Sequence, residues 1–208
     1  FDGRGDIVVH GFDRPNLRLG VEPKADWRRQ LLDFLAARRN QAGIVYCLSR
    51  RLTEEVAAFL TKEGIRALPY HAGLSPEVRR ANQQAFMAEE GVAMVATIAF
   101  GMGIDKPDIR YVFHLNLPGS VEAYYQEIGR AGRDGAPAEV QMVYGLDDIR
   151  MRRQFIDQDG EDEDHRRREH RRMDALLAYC EATQCRRVTL LAYFGDESTP
   201  CGNCDICL

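Results

Sequence analysis

Lysine is scarce in this 208-residue sequence: Lys24, Lys62 and Lys106 are its only lysines among 28 basic residues, and arginine supplies the rest. Genome composition alone can produce such a bias, so arginine richness by itself assigns no function. Long apolar runs are missing too. None approaches the roughly 18 residues that a membrane helix needs, so no membrane partner is expected. Phe1–Asp6 has no basic-then-apolar layout, so no secretory signal is expected. Neither sign of charge dominates: 32 acidic residues against 28 basic ones leave −4. That balance argues against blanket electrostatic binding to nucleic acid and leaves room for a local basic groove. Gly-x4-Gly-Lys-Ser/Thr, the loop that cradles nucleotide phosphates, occurs nowhere, and there is no internal repeat. What is present, 45% hydrophobic and 29% charged residues, excludes disordered and collagenous classes. The length suits one domain of about 150 residues and a smaller one.

The first part alternates strand and helix signals. Asp26 can cap a helix whose apolar positions Trp27, Leu31, Phe34 and Leu35 follow helical spacing. Ile44–Leu48 is a continuous apolar run, a strand buried on both faces. Ser49 caps a helix carrying Leu52, Val56, Phe59 and Leu60, and Gly64 ends it. Strands are expected at Ala67–Tyr70, Val92–Thr97, Arg110–Leu115 and Glu139–Tyr144, with helices after Ser75 and Ser120. This alternation predicts an α/β fold: a parallel sheet with helices on both faces over residues 1–150. Residues 151–208 then form a helical hairpin and a cysteine-rich tail. Asp157–Asp164 carries six acids in eight residues and reads as a solvated linker ahead of a helix start. Five arginines crowd His165–Arg172; a solvated helical face is one reading and contact with DNA phosphates the other. Met173, Leu176, Leu177 and Cys180 mark one helix of the hairpin, and Val188, Leu191 and Ala192 the second.

Three constellations carry chemistry. Cys185, Cys201, Cys204 and Cys207 offer four soft ligands, and Cys-x2-Cys turns bring two sulfurs to one zinc ion. A closed four-thiolate site would be structural; a pair of disulfides is the alternative. Cys180 lies on an apolar stripe and Cys47 in a buried strand, so neither needs a ligand role. Gln126–Gly135 holds Arg130 and Arg133 three apart, on one side if the segment is helical, with glycines that let a ligand approach the backbone. Two forked, permanently charged donors suit a phosphate on which charge builds up; surface ion pairs are the plainer reading. Val95–Asp108 leaves a strand for a glycine-containing loop, where Thr97 and Asp105 offer a hydroxyl and a carboxylate. Open α/β sheets bind ligands beyond the carboxyl ends of their strands; a tight turn capped by Asp105 is the bland alternative.

Phe12–Asn16, Tyr46–Arg50, Tyr70–Leu74, Thr97–Pro107, Gln126–Gly135 and the four-cysteine tail together resemble, in order, the motifs of RecQ-family DNA helicases. The resemblance implies a second RecA-like motor domain followed by that family's zinc-binding subdomain. It implies Arg130 and Arg133 as catalytic arginine fingers, and Gln126, Gly103 and Asp105 on the nucleotide side of a cleft. It places Ser49, Arg50, His71 and Thr97 near a single-stranded DNA track, with a satisfied loop histidine as the other reading of His71. The implied enzyme is an ATP-dependent, three-prime to five-prime DNA helicase of repair and recombination, intracellular and, in a bacterium, cytoplasmic and nucleoid-associated. Its partners are single- and double-stranded DNA and the first motor domain. Zn2+ is then structural, and ATP with Mg2+ is bound only together with that first domain. The missing phosphate loop leads us to expect a part of a longer enzyme that is inactive alone. The rival is a non-catalytic zinc-containing adaptor that binds DNA or protein.

Overall fold

Each of the first four helices begins at a side chain that satisfies an orphan backbone N–H group. In the computed structural model, which describes residues 12–98, 100, 104–158 and 162–208, Asp26 accepts from Arg28 and Arg29 at α1 (Trp27–Ala36). Ser49 does so for Leu52 at α2 (Arg50–Lys62), and Ser75 for Val78 at α3 (Pro76–Ala88). Ser120 accepts from Ala123 at α4 (Val121–Ile128). The strands are β1 (Leu17–Pro23), β2 (Gly43–Tyr46), β3 (Ala67–Tyr70), β4 (Ala93–Ala96), β5 (Tyr111–His114) and β6 (Ala138–Tyr144). They form one sheet in the order β1-β6-β5-β2-β4-β3 with every pairing parallel. The expected α/β architecture is borne out.

Strand alternation feeds two cores. Val45, Val95 and Phe113 share one with Leu31 of α1 and Val56 and Leu60 of α2. Ile44, Met94 and Val112 share the other with Phe86 of α3 and Tyr124 of α4. Because β4 and β5 flank β2 and run parallel, the chain must travel from the carboxyl end of β4 to the amino end of β5. Of the residues between them, Phe100, Ile104 and Ile109 are buried in the α3/α4 core. The same logic makes α4 run from the carboxyl to the amino end of the sheet.

Two elements exceed the sequence reading. β1 shows an alternation of Leu17, Leu19 and Val21 with Arg18 and Glu22 that the sequence reading passed over. α5 (Leu146–Gln158) escaped because its one buried residue is Asp148, not an apolar one. That carboxylate accepts from Lys24 Nζ at 2.8 and 2.6 Å, Asn116 Nδ2 at 2.7 Å and the Gly145 N–H at 3.0 Å. α5 continues unbroken through residues 150 and 151. Asp162 caps α6 (Glu163–Cys180), whose arginines form exposed pairs one turn apart, such as Arg166–Glu163 and Arg172–Glu169.

The hairpin of α6 and α7 (Arg186–Tyr193) packs on α4, where the Tyr124 and Tyr179 hydroxyls meet at 3.2 Å. Beyond it the tail covers the free edge of β1, which would otherwise expose unpaired backbone groups. The Asp205 N–H donates to the Leu19 carbonyl at 3.0 Å, and the Val21 N–H to Asp205 Oδ2 at 3.0 Å. Asp205 also receives the buried Arg186 guanidinium at 2.9 and 3.0 Å. Removing one member of such a pair leaves a buried charge uncompensated, at a cost of about 3 kcal/mol. Asp205→Ala is therefore expected to lower stability by about that amount in urea denaturation of the zinc-loaded chain. An unchanged midpoint would show that the tail adds nothing to the β1 edge.

Candidate nucleotide face, carboxyl edge and metal centre

α4 ends at Ile128, and its last carbonyls lack intrahelical partners. The Gly129, Arg130 and Ala131 N–H groups take up the carbonyls of Tyr125, Glu127 and Ile128, and Arg14 holds the turns beyond the helix: its guanidinium donates to the carbonyls of Gly129, Ala131 and Gly132 at 3.3, 2.8 and 3.0 Å. Asn16 Nδ2 adds bonds to the Gly132 and Ala136 carbonyls at 2.8 and 2.9 Å. Gly132 has φ +57°, and a Cβ there would stand 2.4 Å from Asn16 Nδ2, so only glycine fits. The Phe12–Asn16 string is thus a staple for the arginine loop. Its sequence signal was visible, but the partner lies more than 110 residues away.

The arginine segment is a run of turns, so the helical condition for a shared side is not met. Arg133 reaches outward to the Ile104 carbonyl at 2.9 Å and Asp105 Oδ1 at 3.5 Å, where Asp105 is almost fully exposed. Arg130 turns inward onto Tyr46. Burial and then the Glu127 carboxylate push the Tyr46 hydroxyl far up, against the charge and hydrogen bond of Arg130. Asp105 has been carried across the α3/α4 face, away from the carboxyl end where Thr97 remains. Its neighbour Lys106 confirms the place, donating to the Met87 and Glu89 carbonyls at the end of α3. Gln126 is exposed on the last turn of α4. Gly103 lies outside the described residues.

Ser49, Arg50, His71 and Thr97 follow the carboxyl ends of the adjacent strands β2, β3 and β4. Arg50 is exposed and lies against Gly73. The Ser49 hydroxyl is occupied by its helix cap. His71 is buried and satisfied: the Gly73 N–H donates to Nδ1 at 3.2 Å, which leaves Nε2 to donate to Glu54 at 3.1 Å. Its geometry is that of the loop histidine. Thr97 is held by its N–H to the Tyr70 carbonyl at 3.2 Å. A cavity of about 190 Å3 opens beside these residues, lined by Leu48, Ile98, Asn116, Arg152 and Phe155. At its floor His114 Nε2 meets Glu127 at 2.7 Å, and the Tyr46 ring stacks on His114 at 5.2 Å. The sequence reading passed over this buried polar pair, whose histidine sits in a strand that otherwise reads as apolar and whose carboxylate lies on α4.

The sulfurs of Cys185, Cys201, Cys204 and Cys207 all lie within 4.8 Å of one another. Cys185 and Cys201 are 3.4 Å apart and Cys204 and Cys185 3.9 Å, far beyond a disulfide bond of about 2.05 Å. A tetrahedron with zinc–sulfur bonds of about 2.3 Å has edges of about 3.8 Å, so the donor set fits Zn2+. Backbone N–H groups already point at the sulfurs, from Cys201 to Cys185 and from Asn203 to Cys201, both at 3.3 Å. Against burial, which raises it, the Val188 and Cys201 N–H groups hold the Cys185 thiol down to about 6. Cys180 stays outside the cluster, and burial pushes its thiol up to about 12. The four cysteines therefore fit a structural Zn2+, which would tie α7 to the tail.

The helicase conserved C-terminal domain matches residues 25–135, and the RecQ zinc-binding domain residues 146–208. The ATP-dependent DNA helicase RecQ of Haemophilus influenzae is 42% identical over 201 residues, covering 96% of this chain and 32% of its own length. The corresponding Bacillus subtilis protein is 38% identical over 203 residues, covering 97% and 34%. The chain thus spans about a third of the length of these curated relatives. Among solved structures, a DEAD box protein from Methanococcus jannaschii aligns with a TM-score of 0.55 at 27% identity, over 67% of this chain and 40% of that one. Among the described residues no helix is long and apolar enough to cross a membrane.

The metal centre is directly testable. Elemental analysis is expected to find one zinc per chain. Serine at Cys185, Cys201, Cys204 or Cys207 should release it and expose the C-terminal third to protease, because binding and local folding are one equilibrium of about 10 kcal/mol or more. Cys180→Ser should keep the metal. Loss of zinc from Cys180→Ser but not from Cys185→Ser would overturn the ligand set.

Proposed function

The chain belongs to the RecQ family of helicases, as a helicase conserved C-terminal domain followed by a RecQ zinc-binding module, and on that premise we propose that it is the second motor domain of an ATP-dependent DNA-unwinding enzyme. Residues 1–150 are the motor unit and 151–208 the hairpin and zinc unit. The observation that carries the reading is the stapled arginine loop. Five hydrogen bonds from Arg14 and Asn16 fix the loop that ends in Arg130 and Arg133. Such fixation suits donors that must meet charge as it develops on a transferred phosphoryl group. Surface ion pairs would not need it.

In this reading Arg133, steadied by Ile104 and Asp105, and Arg130, set against Tyr46, face the phosphates of a nucleotide held by a phosphate-loop domain. Gln126 and Asp105 line the same side. ATP with Mg2+ supplies the phosphoryl chemistry when bound there. Single-stranded DNA crosses the carboxyl edge at Ser49, Arg50 and Thr97, with His71 shaping that edge through its bonds to Gly73 and Glu54. The connection 97–110 joins the two places, since Thr97 stands at one end of it and the Arg133 contacts near the other. Such work places the protein inside the cell, in repair and recombination. The adaptor reading has no support in the relatives described above, which are named as helicases.

Two measurements test the proposal. The isolated chain should neither bind ATP tightly nor hydrolyse it, with or without DNA. In the protein with both motor domains, Arg133→Ala should keep nucleotide binding and slow DNA-stimulated turnover by about 10³, near 4 kcal/mol. Lysine should rescue poorly because it lacks the fork. Full turnover in both Arg130→Ala and Arg133→Ala would refute the assignment.

A further inference from the structure

Tyr46 ends β2, and its side chain is buried. Burial accounts for the ring and leaves the hydroxyl unexplained, since phenylalanine would fill the same core. That hydroxyl donates to the Phe100 carbonyl at 3.3 Å. Its single proton is thereby used, and its lone pairs are left to accept from Arg130. A guanidinium can only donate, so the two bonds run one way, from Arg130 to Tyr46 to Phe100. The Phe100 N–H in turn donates to the Thr97 carbonyl at 3.0 Å. A chain of hydrogen bonds thus joins an arginine of the nucleotide face to a residue of the carboxyl edge.

The surroundings hold Tyr46 in this place. Its ring stacks on His114 at 5.2 Å and 21°, and the His114 ring is backed by Tyr124 at 5.2 Å. Glu127, three residues before Arg130, fixes His114 through Nε2 at 2.7 Å. Burial and the Glu127 carboxylate keep the phenol protonated, so it can donate and accept together. We propose that Tyr46 is a positioning residue for Arg130, and that its hydroxyl ties the placement of that arginine to the Thr97–Phe100 turn at the DNA edge. Arg14 and Asn16 hold the backbone of the arginine loop; Tyr46 holds the side chain. A donor aimed at developing charge must be fixed to within about 0.5 Å, which a loop backbone alone does not achieve for a long side chain. The inference rests on the reading of Arg130 as a phosphate-facing donor and names the group that sets its geometry.

DNA-stimulated ATPase assays on the protein with both motor domains test it, using Tyr46→Phe, Arg130→Ala and the double variant. Tyr46→Phe keeps the ring and its stacking and removes only the oxygen. Its kcat is expected to fall about tenfold, the scale of one hydrogen bond to a charged group, with the KM for ATP within about twofold. In the Arg130→Ala background the same change should cost less than about twofold, because the partner is already gone. A merely structural tyrosine would cost the same factor in both backgrounds, and that result would overturn the proposal. So would full turnover by Tyr46→Phe. A second measurement needs no turnover. In the 208-residue chain the side-chain N–H protons of Arg130, followed by NMR, should exchange with solvent about tenfold faster in Tyr46→Phe. Unchanged exchange would overturn the proposal too. Full turnover by Arg130→Ala would leave Tyr46 nothing to position and overturn it as well; only the same result in Arg133→Ala would also refute the motor reading.

Discussion

A sheet whose strands all run one way leaves its connections no freedom about where they end. Each link must return from a carboxyl end to an amino end. For β4 to β5 that return crosses β2, which brings Ile104 and Asp105 to the α3/α4 face, far from Thr97. For β5 to β6 the return is α4, which sets Arg130 and Arg133 down beside the same segment. The meeting of Arg133 with Ile104 and Asp105 is a consequence of strand direction.

The second consequence is an open edge. With β1 outermost, its free backbone groups need a partner, and the residues after Cys204 provide one. Zinc binding, the Arg186–Asp205 pair and the β1 edge are therefore one structural unit. Arg187 extends it, donating to the Leu17 carbonyl at 2.7 Å and to Asp13 at 3.2 Å. Phe12, stacked on Phe194 at 4.7 Å and set edge-on to Tyr125 at 5.4 Å, joins the same cluster to α4. The residues just before β1 thus touch both the arginine loop and the metal-bearing hairpin.

Legibility followed the range of the interaction. Helix starts at Asp26, Ser49, Ser75 and Ser120 were readable because a cap and its helix are neighbours in sequence. The zinc ligands were readable because three of the four fall within seven residues and the fourth opens a helix. α5 was not, since Asp148 anchors it through Lys24 and Asn116 and hydrophobic periodicity cannot see a polar anchor. His114 and Glu127 were hidden the same way. The carboxylate that a lone histidine needs lay in the next helix, with nothing local to announce it.

Composition and spacing by themselves determined the α/β class, the starts of α1 to α4, the four-cysteine centre and the candidate arginines. Each depends on residues close together in sequence or on a period that a helix or strand imposes. Tertiary structure alone decided what those residues touch. It turned Arg130 inward and Arg133 outward, because the chain leaves the helix at Gly129 and bends back at Gly132 under bonds from Arg14 and Asn16. It showed His71 as a satisfied buried side chain and moved Asp105 off the carboxyl edge. It also set the Tyr46 hydroxyl between Arg130 and the Phe100 carbonyl, since only the placing of β2 between β4 and β5 brings together residues that the sequence keeps on three separate segments.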